Sequence, residues 1–94
     1  MNSDLIVRHD AAAARYEIKL DGETAVAEYT LDGPRMVLTH TFVPPALRGR
    51  GLAELLVRAA LNDARTFSRR VVPQCSYVAA FIKRHPEFQD LPGP

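Results

Sequence analysis

The feature that most constrains this chain is a change of hydrophobic period across Pro44-Pro45. Before it, Tyr16, Ile18 and Leu20 alternate with Arg15, Glu17 and Lys19, the period of two that marks a strand with one buried face. After it, Ala53, Leu56, Val57, Ala60, Ala64 and Phe67 recur at steps of three and four, with Glu54, Arg58, Asn62 and Arg65 on the opposite side. That pattern predicts an amphipathic helix of about four to five turns opening at Gly51. Neither proline offers a backbone N–H to a ladder, and each restricts the residue before it, so the preceding strand ends here. A β half followed by a helical half predicts a mixed α/β (α+β) fold.

Within the β half, Asp21-Gly22 separates the first strand from a second, Ala25 to Leu31. Glycine takes positive φ without a Cβ penalty, so Asp-Gly between alternating segments is a hairpin signal. Asp32-Gly33-Pro34 turns the chain again into a third strand through Met36, Leu38, His40 and Phe42. The three form an antiparallel meander. Beyond the long helix, Val71-Val72 reads as a short buried strand closed by Pro73, and a second helix opens at Cys75 or Ser76 and stops before His85-Pro86. The tail from Glu87 to Pro94 is expected to begin ordered and then fray.

At 94 residues the chain has room for one modest core, so residues 1–94 are read as a single domain. Its 12 Lys+Arg against 11 Asp+Glu give a net charge of +1, which excludes the large positive field of non-specific nucleic-acid binders. One cysteine, Cys75, cannot form an internal disulfide and suits a reducing compartment. The stretch Met1 to Asp10 has no apolar run of signal-peptide length, and no segment approaches the roughly 20 apolar residues of a membrane span. A cytoplasmic protein without membrane contact is expected. Histidines and cysteine lack zinc-ligand spacing, so no metal is expected.

The segment from Val43 to Ala53, Val-Pro-Pro-Ala-Leu-Arg-Gly-Arg-Gly-Leu-Ala, joins the third strand to the long helix. A glycine-bearing turn entering a helix presents unpaired N–H groups backed by the positive end of the helix dipole. Phosphate is the natural occupant. Gly49 and Gly51 let backbone approach a pyrophosphate closely, and Arg48 and Arg50 add charge. The spacing fits neither GxxxxGK[ST] nor GxGxxG.

The order Arg-x-x-Gly-x-Ala at Arg48, Gly51 and Ala53 resembles the acetyl-CoA signature of the GNAT superfamily of N-acetyltransferases. The resemblance extends through His40 to Ala53, then Val71 to Val78, and His85-Pro86-Glu87, and is closest to the small single-domain GNAT-like proteins. It implies a compact fold with a mainly antiparallel sheet, a splayed parallel strand pair and two main helices. By the same resemblance, backbone at Thr41, Phe42 and Val43 pairs with the pantetheine arm of acetyl-CoA, and Leu47, Arg48, Gly49, Arg50, Gly51, Leu52 and Ala53 hold the pyrophosphate. The strand at Val71-Val72 splays to open a thioester slot, with Cys75 and Tyr77 just beyond. The two helices that in full-size members follow the first strand and help bind the acceptor have no counterpart between Tyr16 and Met36.

Acyl transfer to an amine requires a deprotonated amine, a polarised carbonyl and a protonated leaving thiolate. His40 is the candidate base; on its strand it alternates with Met36, Leu38 and Phe42 on the apolar side, where a packed histidine is the ordinary alternative. Cys75 is a candidate nucleophile, since a helix N-terminus lowers a thiol pKa, against the inert buried cysteine common in cores. The resemblance gives Tyr77 the part of general acid, against a tyrosine packed in the core. His85 belongs to the helix stop, and Arg69-Arg70 reads as a solvated pair with a lesser claim on the coenzyme's 3′-phosphate. The expected function is acetyl-CoA-dependent N-acetyl transfer to an amine of a small molecule or protein. Two alternatives are a non-catalytic CoA-binding module and an adaptor using Arg48, Arg50, Arg69 and Arg70 as a basic patch.

Overall fold

A computed structural model describes residues 5–93. Five strands form one sheet in the order β1-β2-β3-β4-β5: β1 (Arg8–Asp10), β2 (Arg15–Leu20), β3 (Glu23–Asp32), β4 (Arg35–Phe42) and β5 (Arg70–Pro73). The first three pairings are antiparallel and β4–β5 is parallel. Helix α1 (Leu52–Thr66) joins β4 to β5, and α2 (Ser76–Arg84) follows β5. The α+β meander-then-crossover reading therefore holds. Both hairpin turns use the expected residues: Asp21 and Gly22 take φ of 54° and 76°, as a two-residue turn matched to strand twist requires, and Gly33 takes 58°.

One face of the sheet, Tyr16 and Ile18 on β2, Ala25, Ala27 and Tyr29 on β3, Met36 and Leu38 on β4, is buried against Leu56, Val57, Ala60, Leu61 and Ala64 of α1. The small β3 alanines let the helix axis approach closely. Arg58 of α1 lies over the rings of Phe81 on α2 and Phe88 in the tail, both 5.5 Å from the guanidinium carbon, so the two helices share that face. No described helix covers the other face, which carries Arg15, Glu17 and Lys19, Val26 and Glu28, Val37, His40 and Phe42. On it Glu17 is nearly buried, its carboxylate 3.3 Å from Arg15 Nη2.

Three features depart from the sequence reading. β1 was not expected; it carries no apolar alternation and is held by its ladder to β2 and by His9, whose ring stacks on Tyr16 at 4.2 Å. The tail does not fray through Gly93: it forms a 3-10 turn (Pro86–Phe88), buries Phe88 and Leu91, and bridges Val71 to Pro92. Pro94 lies outside the described residues.

The third departure is a β-bulge. Glu28 pairs with His40 but Tyr29 pairs with Leu38, leaving Thr39 as an extra residue on β4. An inserted residue swaps the faces of everything after it. Thr41, opposite buried Ala27, therefore joins Met36 and Leu38 on the helix side, while His40 and Phe42 turn to the bare face. This corrects the placement of His40 and Phe42 on the apolar side: His40 is exposed, its ring stacked 6.4 Å from Phe42, itself 43% exposed.

Candidate active site

The loop after β4 is anchored by Leu47, buried in the core at the end of a 3-10 turn (Pro45–Leu47). From there Arg48 to Gly51 climb to the start of α1. Gly49 and Gly51 take φ of 84° and 76°, and a Cβ on either would stand in open space, so bare backbone faces outward. Helix N-termini are ordinarily capped by a Ser, Thr, Asp or Asn oxygen. Here Gly51 occupies the cap and no side chain bonds to it. The first bond into the helix runs from Leu55 N–H to Gly51 O at 3.2 Å, which leaves the N–H groups of Leu52, Ala53 and Glu54 unclaimed at the dipole's positive end.

A cavity of about 230 Å3 opens in front of these amides, bounded by Val43, Leu47, Arg48, Gly51, Ala53 and Tyr77 among others. Arg48 is fixed at its edge, Nε donating to Val43 O at 2.9 Å and the guanidinium 5.9 Å from the Phe42 ring. Leu47 and Leu52 point into the core, so they present only backbone to the cavity. Phe42 does not line this cavity, its ring being on the bare face. Arg50 swings away from the loop, its Nη1 3.5 Å from Asp21 at the β2–β3 turn. Unclaimed amides, a helix dipole, a nearby guanidinium and glycine-exposed backbone fit a pyrophosphate.

The sheet opens beside this cavity. Parallel pairing of β4 with β5 ends at Leu38 opposite Pro73, and Cys75 N–H closes onto Leu38 O at 2.9 Å. β4 runs on to Phe42 paired only with β3, so its other edge at Thr41 and Phe42 has no β5 partner. Amide-bearing chains bind to such edges. Cys75 stands at the head of α2, half-buried, with Sγ 3.6 Å from Thr41 Oγ1. Burial raises its pKa, but the Thr41 hydroxyl and the N–H groups of Val78, Tyr77 and Thr41 outweigh burial, and the thiol is held below its ordinary value. Tyr77, two residues on, lines the loop cavity. Its hydroxyl is pushed up by burial and then by the Glu54 carboxylate, against a smaller pull from Arg84.

The structure thus brings Cys75, Thr41, Tyr77 and the loop together and leaves His40 on the other side of β4. Thr41 as a partner of the thiol was not read from the sequence, since 34 residues separate the pair. Glu54, which faces the loop cavity and acts on Tyr77, was also missed; its only sequence signal was an acid in a helix's first turn. His85 closes α2, its N–H donating to Ile82 O and its ring stacked on Phe81 at 3.9 Å. Arg69 and Arg70 follow α1's far end; 15 helical residues span about 22 Å, which removes them from the loop.

Comparison with known proteins agrees with this architecture. The family model for the GCN5-related N-acetyltransferase matches residues 15–91. Protein NATD1 of Bos taurus is 39% identical over 83 residues, covering 85% of this chain and 74% of that protein. Protein NATD1 of Danio rerio is 34% identical over 94 residues, covering 97% and 86%. The solution structure of a GCN5-like protein from Staphylococcus aureus superposes with a TM-score of 0.77 over 97% of this chain and 90% of that one; at 22% identity the likeness is one of fold. With the family model spanning most of its length, this chain belongs to the GCN5-related N-acetyltransferase family.

Proposed function

We propose that this protein is an acetyl-CoA-dependent N-acetyltransferase acting on an amine of a small molecule or a protein. One observation carries the reading: a loop of bare amides, with Tyr77 at its cavity, lies beside the opening between β4 and β5 where the Cys75 thiol meets Thr41. When bound, acetyl-CoA supplies an acetyl group activated as a thioester. The N–H groups of Leu52 to Glu54, with Arg48, would hold its pyrophosphate, and the free edge of β4 from Thr41 to Val43 its amide-bearing arm.

The chain's own groups then divide the proton work. Thr41 and the α2 amides favour negative charge at Cys75, which readies the sulfur to take an acyl group. Tyr77, its pKa raised, keeps its proton through neutral pH and is a donor rather than a base. His40 is exposed on the opposite face of β4 from the Cys75–Thr41 pair, so it would serve as a base only for an amine that enters from that face.

Calorimetric titration with acetyl-CoA and with CoA, followed by intact mass, tests the reading. Micromolar binding with a gain of one acetyl group, absent in Cys75→Ala, supports it; no binding at millimolar ligand overturns it. Binding without CoA release on adding amines would favour a non-catalytic coenzyme-binding module, which the bare acceptor side also accommodates.

A further inference from the structure

The foot of α1 gathers positive charge. A cavity of about 250 Å3 opens there between Arg65, Ser68, Arg69, Arg70 and Asp90. Three guanidiniums thus meet one carboxylate, in a chain whose net charge is only +1. That carboxylate is already taken: Arg65 forks onto Asp90 at 2.9 and 3.0 Å, which holds the carboxyl below its usual range. Arg70 Nη1 reaches only the Asp90 carbonyl, at 3.4 Å, and Arg69 lies over the Phe67 ring at 5.2 Å. Among the described residues, no carboxylate stands within 4 Å of the Arg69 or Arg70 guanidinium. Asp63, the other acid near the end of α1, accepts from Tyr16 instead.

A helix C-terminus ordinarily repels anions through its bare carbonyls. Here the carbonyls of Asp63, Arg65 and Ala64 accept from the N–H groups of Phe67, Ser68 and Arg69 at 2.9, 3.2 and 2.8 Å. That wrap needs a left-handed residue, and Ser68 takes φ of 55° where glycine is the ordinary choice. A serine there keeps an exposed, hydroxyl-bearing side chain on the cavity wall.

We infer that this cavity binds a phosphomonoester through Arg69, Arg70 and Ser68. Asp90 fills the planar carboxylate slot on Arg65, so the remaining donors suit an anion whose acceptor oxygens do not lie in one plane. A phosphomonoester brings three such oxygens and nearly two charges at neutral pH. The cavity is several times the roughly 30 Å3 share of a water molecule, which leaves space for the carbon body that carries the phosphate. That body is either a small metabolite or a phosphorylated side chain of another protein. The 15 residues of α1 put about 22 Å between this cavity and the loop, so the site is separate from the proposed coenzyme site and does not depend on it.

Amide NMR spectra tested with three probes decide the matter: glycerol phosphate, a neutral peptide carrying one phosphoserine, and the same peptide unphosphorylated. Both phosphorylated probes should shift the Ser68, Arg69 and Arg70 amides saturably, with a Kd of about a millimolar, and the third probe should not. A phosphopeptide bound more tightly than glycerol phosphate assigns a phosphorylated protein as the source; equal or tighter glycerol phosphate assigns a metabolite. Binding should strengthen as pH rises through about 6, where the monoester takes its second charge. Arg69→Gln should weaken binding about fivefold. Asp90→Asn should strengthen it by about as much while lowering the thermal midpoint, opposite signs that a merely structural role would not give. No shift of these amides at tens of millimolar phosphate overturns the inference. So do shifts confined to Leu52, Ala53 and Glu54 at the loop, or an affinity that neither variant changes.

Discussion

The two ends of α1 differ in what they leave undone. At its head, three amides lack partners, the cap is a glycine, and a cavity opens. At its foot a cavity of about 250 Å3 also opens, lined by Arg65, Ser68, Arg69 and Asp90 among others, but several polar groups around it are claimed. Asp63 accepts from Tyr16 at 2.7 Å, Tyr29 bonds His9 Nε2 at 2.6 Å, and Arg65 grips Asp90 through both its terminal nitrogens at 2.9 and 3.0 Å and donates to Glu87 O. For the coenzyme, the foot is built for hold and the head for exchange. Substitutions at the head should therefore change coenzyme binding without stability, and those at the foot stability without coenzyme binding.

The largest effect is expected at the head. Gly51→Glu puts a carboxylate before the unclaimed amides at a positive φ that L-residues rarely adopt. Coenzyme affinity should fall by about a hundredfold or more while the thermal midpoint moves by only a few degrees. Retained affinity would show that the loop is not the site.

Next comes Tyr16→Phe at the foot, which strips Asp63 of its donor in a partly buried position and should cost about 1–2 kcal/mol by denaturant unfolding, with calorimetric affinity unchanged. The same residue gives a pH signature. Burial, then the hydrogen bond to Asp63, pushes the Tyr16 hydroxyl above the tyrosine range. The folded state thus prefers the protonated form, and stability that is intact below the unfolded value of about 10 declines as pH rises past it. In Tyr16→Phe that part of the alkaline decline should disappear.

A subtler test concerns the bulge. Thr41→Val should shift the pH midpoint of iodoacetamide alkylation of Cys75 upward, because the hydroxyl that favours the thiolate is gone. His40→Ala, one residue away but on the opposite face, should leave that midpoint where it was. A shift with His40→Ala would place the imidazole on the thiol's side and undo the account of Thr39. The smallest effect is Arg65→Ala, at an exposed pair whose loss should lower the midpoint slightly, and less at high salt, where what persists is the lost bond to Glu87 O.

Much of this architecture was legible because its signals are local. Asp21-Gly22, the Pro44-Pro45 stop and the three-and-four spacing of Leu56, Val57 and Ala60 each act through the backbone of a few neighbouring residues. The form of the loop was legible for the same reason, glycines and a helix start being adjacent in the chain. The bulge was not. Thr39-His40-Thr41 contains no glycine, and strict alternation carried past it put His40 on the wrong face. β1 escaped because Arg8-His9-Asp10 has no period; it forms where Tyr16 offers a ring to His9. Nothing local ties Thr41 to Cys75 either, and only the crossover through α1 brings them together.

The bare face of the sheet bears on which acceptor the proposed transfer would admit. Among the described residues, no helix covers the face that carries Arg15, Glu28 and His40, in a molecule 22 Å thick along its shortest axis. An acceptor there meets a floor without side walls. Under the proposed function its bulk would then be no obstacle: an amine on a folded protein would be as admissible as one on a free metabolite, provided it reaches the open edge of β4 at Thr41. Selection on such a surface would rest on reach and on the charge pattern of Arg15, Glu28 and His40, more than on the volume of the molecule presenting the amine.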